Sequence, residues 1–161
     1  MLGPQAVLEV LPGTLFDESR NFPEAWGRGS TGIVKRFGNQ YGQFVTGEFI
    51  EFGVSSAHNE DPRYFRLGNG AVWRRTGHVF RNTFLAHHAD GSPGMTLAAG
   101  RILGVYGAWG LATRWNPPAQ HTAGQFLLYG TVGMLTKTGG NAMREFWPDI
   151  KRRFFHKNSH D

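Results

Sequence analysis

The chain has no cysteine among its 161 residues, which excludes disulfides, thiolate zinc sites, cysteine nucleophiles and cysteine-held iron–sulfur clusters together. It is also short of charge, with 18% Asp, Glu, Lys and Arg against roughly 25% in soluble domains. It carries no nucleophile elbow, phosphate-binding P-loop or H-E-x-x-H zinc motif, so no substrate is named by its motifs. Residues 1–24 lack an apolar run of signal-peptide length. Their one candidate, Ala6 to Leu11, has no basic segment before it and no small-residue cleavage site after it, and the chain reads as mature, intracellular or trimmed.

What the chain has in excess is glycine, 23 residues, about twice the usual 7% share. Residues 1–24, with Pro12-Gly13 and Phe22-Pro23, read as an irregular or extended arm. From Glu24 to about His58 the apolar residues recur at helical spacing, through Phe37, Tyr41, Phe44, Val45, Phe49 and Phe52. A loop rich in polar residues, proline and glycine follows over 59–70, and Val72 to about His87 reads as a second amphipathic helix. Ser92-Pro93 resembles an N-cap with proline at the first helical position, opening an 18-residue stretch from Met95 to Ala112 whose only charge is Arg101. Pro117-Pro118 breaks the chain, and Ala119 to Thr136 is a further 18 residues without Asp, Glu, Lys or Arg. Gly139-Gly140 loosens or ends that helix, and a last short segment from Asn141 to Phe155 contains Pro148. An all-β barrel reading fails because Phe44-Val45, Phe49-Ile50, Ile102-Leu103 and Leu127-Leu128 break the alternation barrel strands require.

Part of the glycine excess falls in register. Gly100, Gly104, Ala108 and Ala112 lie four apart on the third helix, and Gly38, Gly42 and Thr46 repeat the spacing on the first. Such ridges let helix backbones approach closely, as helices do where hydrophobic burial gives little drive. Each helical glycine costs about 1 kcal/mol relative to alanine, a loss that close packing has to offset. The 95–136 hairpin reaches the lower end of membrane-spanning length, about 17–25 residues, with its basic residues mostly outside the tip. Arg101 would then have to snorkel or pair.

Charge is divided unevenly: residues 1–62 carry four Lys/Arg and eight Asp/Glu, and residues 63–161 carry thirteen and four. A basic half attracts phosphate-rich partners, either anionic lipid or nucleic acid. Trp147, Lys151, Arg152, Arg153, Phe154 and Phe155 interleave aromatics with cations, as an interfacial segment does. Seven histidines raise a metal reading around His58, Glu60, His87 and His88, but adjacent histidines on a helix point apart.

Several segments together resemble a family of bacterial proteins with no assigned activity. The residues that carry the resemblance are Asp61-Pro62-Arg63-Tyr64-Phe65 with Gly68 and Gly70, Trp73-Arg74-Arg75, Trp115-Asn116-Pro117 and Arg144-Glu145-Phe146-Trp147-Pro148-Asp149-Ile150. It runs from about Gly38 to His156. Many members look exported, which implies a cell-envelope location; no functional residue follows from it.

The expectations are therefore an all-α, glycine-rich helical bundle with a central hairpin, an arm at 1–24, one helical domain at 25–156 and a basic tail at 157–161. The function expected is that of a non-catalytic, membrane-associated structural or interaction protein, packing through glycine-rich helices in an oligomer or larger complex. Its partners would be a protein or a second copy together with an anionic lipid surface, and no cofactor is indicated. The alternatives are a nucleic-acid-binding module, which would be cytoplasmic, and a small metal-dependent hydrolase around His58, Glu60 and His87.

Overall fold

The computed structural model describes residues 4–118 and 121–155. The order of elements is α1 (Pro4–Ser19), a 3-10 turn (Glu24–Trp26), α2 (Ser30–Ala57), β1 (Glu60–Asp61), α3 (Val72–Phe84), β2 (Leu85–His88), β3 (Met95–Leu97), α4 (Ala99–Ala112) and α5 (Ala123–Phe155). The fold is mostly helical, but the strands form a small antiparallel sheet in the order β1-β2-β3, so the all-α expectation is corrected.

Helix α2 is the spine. Helix α4 runs antiparallel to it, with Gly104 against Gly47 and Gly100 against Ser55. Helix α1 packs on its N-terminal half, where the Gln40 amide donates to Asp17 at 2.8 Å. Helix α5 runs back along α4, with Tyr129 against Trp109, and then along α3, where Asn141 donates to Thr83.

The N-terminal arm is a helix, not an extended segment. Ala6, Val10, Thr14 and Asp17 are buried at helical spacing, and this face against α2 outweighs the ladder bond lost at the exposed Pro12. The helix expected to reach His87 stops at Phe84, because Leu85 turns extended and pairs with Leu97 across the β2–β3 hairpin. The buried Arg101 guanidinium takes the carbonyls of Asn82 (2.5 Å) and Thr83 (2.9 Å) at that helix end. Ser92 is consequently no N-cap: its N–H donates to Asp90 inside the hairpin turn, and Gly91 and Gly94 supply the positive φ the turn needs.

Helix α4 begins at Ala99 and has 14 residues, about 21 Å at 1.5 Å each, short of the roughly 30 Å of a bilayer core. Its first N–H groups are satisfied from far along the chain. Glu60 accepts from Ala99 N–H at 3.1 Å and Gly100 N–H at 3.0 Å, placing a carboxylate at the positive end of the helix.

Helix α5 is one 33-residue helix through Gly139-Gly140, not two segments. Thr138, Asn141 and Glu145 are all buried, and Asn141 and Glu145 hold it to α3 and the preceding loop. Among the described residues no helix is long and apolar enough to cross a membrane, which corrects the spanning hairpin. Residues 156–161, with the expected tail, lie outside the described residues.

Candidate functional site

Burial and polarity are inverted relative to an ordinary helical bundle. Arg36, Glu51, Glu60, Asp61, Arg75, Arg101 and Glu145 are buried, whereas Val34, Phe49, Phe52, Trp73, Leu127, Leu135 and Trp147 are exposed, Trp73 at 85%. Buried charge is tolerated only where it is paired or fully hydrogen-bonded; all of these but Glu60 face a Lys, Arg, Asp or Glu of opposite charge, and Glu60 accepts from two backbone N–H groups and the Ser55 hydroxyl.

Three of the sequence segments singled out above meet in one cluster. Glu145 is fully buried. Its Oε2 accepts from the Tyr64 hydroxyl (2.9 Å) and the Leu67 N–H (3.0 Å). Its Oε1 accepts from the Gly68 N–H (2.9 Å) and Arg75 Nε (2.8 Å). Gly68, with φ of 75°, lets the loop turn that N–H inward. Arg75 also reaches Asp149 at 2.5 Å and the Glu145 carbonyl at 2.6 Å, and it sits 4.4 Å from the centroid of the Phe146 ring. Pro148 opens the helix ladder beside that carbonyl. Burial pushes the Glu145 carboxyl up, but the donors from Arg75, Gly68, Tyr64 and Leu67 override it and bring its pKa down to about 2. Burial and the same carboxylate push the Tyr64 hydroxyl well above its ordinary value. Both Glu145 carboxylate oxygens are taken, so the cluster is a clamp joining loop 62–70, α3 and α5.

Further charges tie the other helices. Lys137 on α5 donates to Glu48 and Glu51 on α2, both at 2.8 Å, and Arg101 lies 3.5 Å from Glu51. Desolvation opposes the Lys137 ammonium, yet Glu51 and Glu48 more than offset it and raise its pKa. Arg36, 0% exposed, bonds Glu18 (2.5 Å), the carbonyls of Phe22 and Gly27 (both 2.8 Å) and Asn21 (3.2 Å). Arg101 pairs with Glu51 inside the fold, whereas the membrane span in which it would have had to snorkel or pair is not formed by the described residues. Local sequence assigns no such roles to Arg36, Glu51, Glu60 and Lys137, whose respective partners Glu18, Lys137, Ala99 and Glu48 lie 18 to 89 positions away in the chain.

The structure gives the glycine ridges unequal surroundings. Gly100, Gly104, Ala108 and Ala112 are all buried and face α2, not the hairpin partner α5. A Cβ on Gly104 would lie 2.8 Å from the Gly47 carbonyl oxygen, and one on Gly100 would collide with Ser55 and approach the Glu51 carbonyl oxygen to 2.8 Å. That ridge is consumed within the chain and is not open to a second copy. On α2 the partner register is Gly47, Glu51 and Ser55. The expected register differs: Gly38 has open space around it, Gly42 is 3.9 Å from Trp115, and Thr46 is half-buried.

The apolar periodicity of α2 is present but turned outward. Val34, Phe49 and Phe52 are exposed and Phe37, Tyr41 and Val45 half-buried, while Arg36, Asn39, Glu51 and Ser55 face inward. Helix α5 repeats this. Leu128, Val132, Leu135, Met143, Trp147 and Ile150 are exposed along one side, and Gly130, Met134, Thr138, Asn141 and Glu145 are buried along the other. Arg144 beside that apolar side and Lys151, Arg152 and Arg153 at its end are exposed, with no carboxylate partner among the described residues. Phe154 and Phe155 close the helix, and their side chains lie outside the described residues.

The histidine grouping does not form a metal site. His58 Nδ1 is 3.8 Å from Glu60, but the Glu60 oxygens are committed to α4. His87 sits opposite Asp61 in the sheet and edge-on to Phe65, with ring centroids 5.0 Å apart. Among the described residues no three His, Asp or Glu side chains converge to hold a metal ion. No protein-family model, curated protein or solved structure matches this chain.

Proposed function

We propose that this chain is a non-catalytic, membrane-associated interaction protein of the bacterial cell envelope that rests on an anionic lipid surface through the outer faces of its helices. The observation that carries the reading is the inversion of burial: aliphatic and aromatic side chains stand outside a core tied by ion pairs. Exposed apolar patches of this extent are a liability unless something covers them. On α5 the apolar side is bordered by Arg144 and ends in Lys151-Arg152-Arg153, the arrangement of a helix lying in a head-group layer. Each cation near an anionic surface contributes about 1 kcal/mol, and Trp147 has the amphipathic ring that favours this depth.

Nucleic-acid binding is less well supported, because part of the basic half is already spent. Arg63, Arg75, Arg101 and Lys137 are held by carboxylates within the chain. The outer face of α2, with Phe49 and Phe52, is left for a protein partner or a second copy in a larger complex.

Co-flotation of the full chain with vesicles tests the proposal. The chain is expected to float with vesicles containing anionic lipid and to stay partly bound after a high-salt wash, since hydrocarbon contact survives screening. A chain that remains unbound to vesicles of every composition, at low salt, contradicts it.

A further inference from the structure

Between α3 and the β2–β3 hairpin lies a cleft of about 290 Å3, lined by His78, Arg81, Asn82, His87, Gly94 and Met95. No carboxylate lines it. The nearest acids are occupied: Asp61, across the sheet from His87, is held by the Arg63 guanidinium at 2.6–3.0 Å, and Asp90 accepts from the Ser92 N–H.

The groups that face the cleft are unequal in what they have left to offer. His78 Nε2 donates to the Phe65 carbonyl at 2.7 Å, which leaves its Nδ1 to accept from the Asn82 amide at 3.2 Å; His78 is spent on holding the wall. Asn82 is 5% exposed, and its Nδ2 also donates to the His78 carbonyl at 2.9 Å. That leaves Oδ1 without a partner among the described residues, and, being no sealed atom, it keeps solvent contact on a residue that lines the cleft. Arg81 is exposed and has no ion-pair partner among the described residues. The cleft thus offers a guanidinium and an imidazole as donors beside one buried, unused acceptor.

That combination fits an oxyanion that keeps a proton. We propose that the cleft binds a hydrogenphosphate-type group, with Arg81 and the His87 ring donating to its oxygens and Asn82 Oδ1 accepting its O–H. Guanidinium binds phosphate oxygens through paired N–H donors, and an acceptor buried at the back of the site penalises any anion with no proton to give it. Sulfate, with similar size and shape, has none. The same chemistry comes either as free inorganic phosphate or as the monoprotonated head group of a phosphatidic-acid lipid. The inference stands apart from the lipid-surface reading, because α5 contributes nothing to the cleft.

Calorimetric titration of the full chain near pH 6 with inorganic phosphate and with sulfate, at matched ionic strength, tests it. Phosphate is expected to bind at least tenfold more tightly than sulfate, and Arg81→Gln to weaken phosphate at least tenfold. Asn82→Asp, which turns a carboxylate toward the anion, is expected to abolish binding. Because Asn82 is buried, the surface variant Arg81→Gln keeps the test decisive if Asn82→Asp does not fold. Vesicles of phosphatidic acid and of phosphatidylglycerol, matched in charge, separate the sources. Displacement from the former by inorganic phosphate assigns the lipid head group; phosphate binding without such displacement assigns the free anion. No binding of phosphate, equal binding of sulfate, or unchanged binding by Arg81→Gln overturns the proposal.

Discussion

Along α5 the side turned toward the other helices carries Thr138, Asn141 and Glu145, buried and hydrogen-bonded, while the opposite side carries Leu128, Val132, Leu135, Trp147 and Ile150 in the open. Helix α2 shows the same division between Arg36, Asn39 and Glu51 within and Val34, Phe49 and Phe52 without. In an ordinary soluble bundle hydrocarbon holds the helices together and charge faces water. Here a small apolar core that includes Val79, Trp109 and Met134 is joined by directional contacts and close backbone approach, and much of the larger hydrocarbon faces outward. The two sides should accordingly fail in different ways: inner substitutions should cost the fold, and outer ones should cost only what the surface touches.

The largest effect is expected from Glu145→Gln, which keeps the shape but leaves Arg75 buried without its full counter-charge. Breaking a buried pair costs about 3–5 kcal/mol, read as a lowered midpoint in urea or thermal unfolding. Acid should expose the same dependence. The folded-state pKa of Glu145 is about 2, below the unfolded value of about 4.3, so its contribution is present above pH 4.3 and is lost as pH falls toward 2. The lowered Asp61 carboxyl acts in the same sense. Asp17, raised chiefly by burial, acts in the opposite one. Unfolding midpoints measured from pH 6 to 2 should fall, and in Glu145→Gln they should fall less.

Next is Gly100→Ala. Its new methyl meets Ser55 and the Glu51 carbonyl, and overpacking of this kind costs about 1–3 kcal/mol. Gly139→Ala, where the same methyl meets nothing within 4 Å, should be neutral or stabilising by up to about 1 kcal/mol through helix propensity. The sign difference between the two, measured by denaturant unfolding, tests whether ridge position or glycine itself matters. The smallest effect on stability is expected from Leu135→Ser and Trp147→Ser, within about 0.5 kcal/mol, because these side chains are more than 45% exposed and enter no core.

How much of this was legible follows from what periodicity can carry. The 3.6-residue spacing of Phe37, Tyr41, Val45, Phe49 and Phe52 identifies α2 as a helix, and Pro117-Pro118 marks the α4–α5 turn, because both signals are local. Periodicity does not say which face is inside, and the usual assumption that the apolar face is buried is reversed here. The ends of α3 and α4 were misplaced because distant side chains set them, Arg101 at one and Glu60 at the other. The clamp was half visible: its segments stood out as distinctive strings, but Tyr64 and Glu145 meet across 81 positions, and no local pattern encodes that. The phosphate-class cleft was not legible at all, since it depends on one unused amide oxygen.

The measurement that bears most directly on the division between the two sides is paired vesicle flotation and thermal unfolding of the double variant Leu135→Ser/Trp147→Ser. Each exposed apolar side chain that a lipid surface buries in full contributes about 1.5–3 kcal/mol, so the variant should lose at least tenfold in binding to anionic vesicles while its unfolding midpoint stays within a few degrees of the parent. A variant that floats as well as the parent, or one that unfolds as readily as Glu145→Gln, would contradict the account.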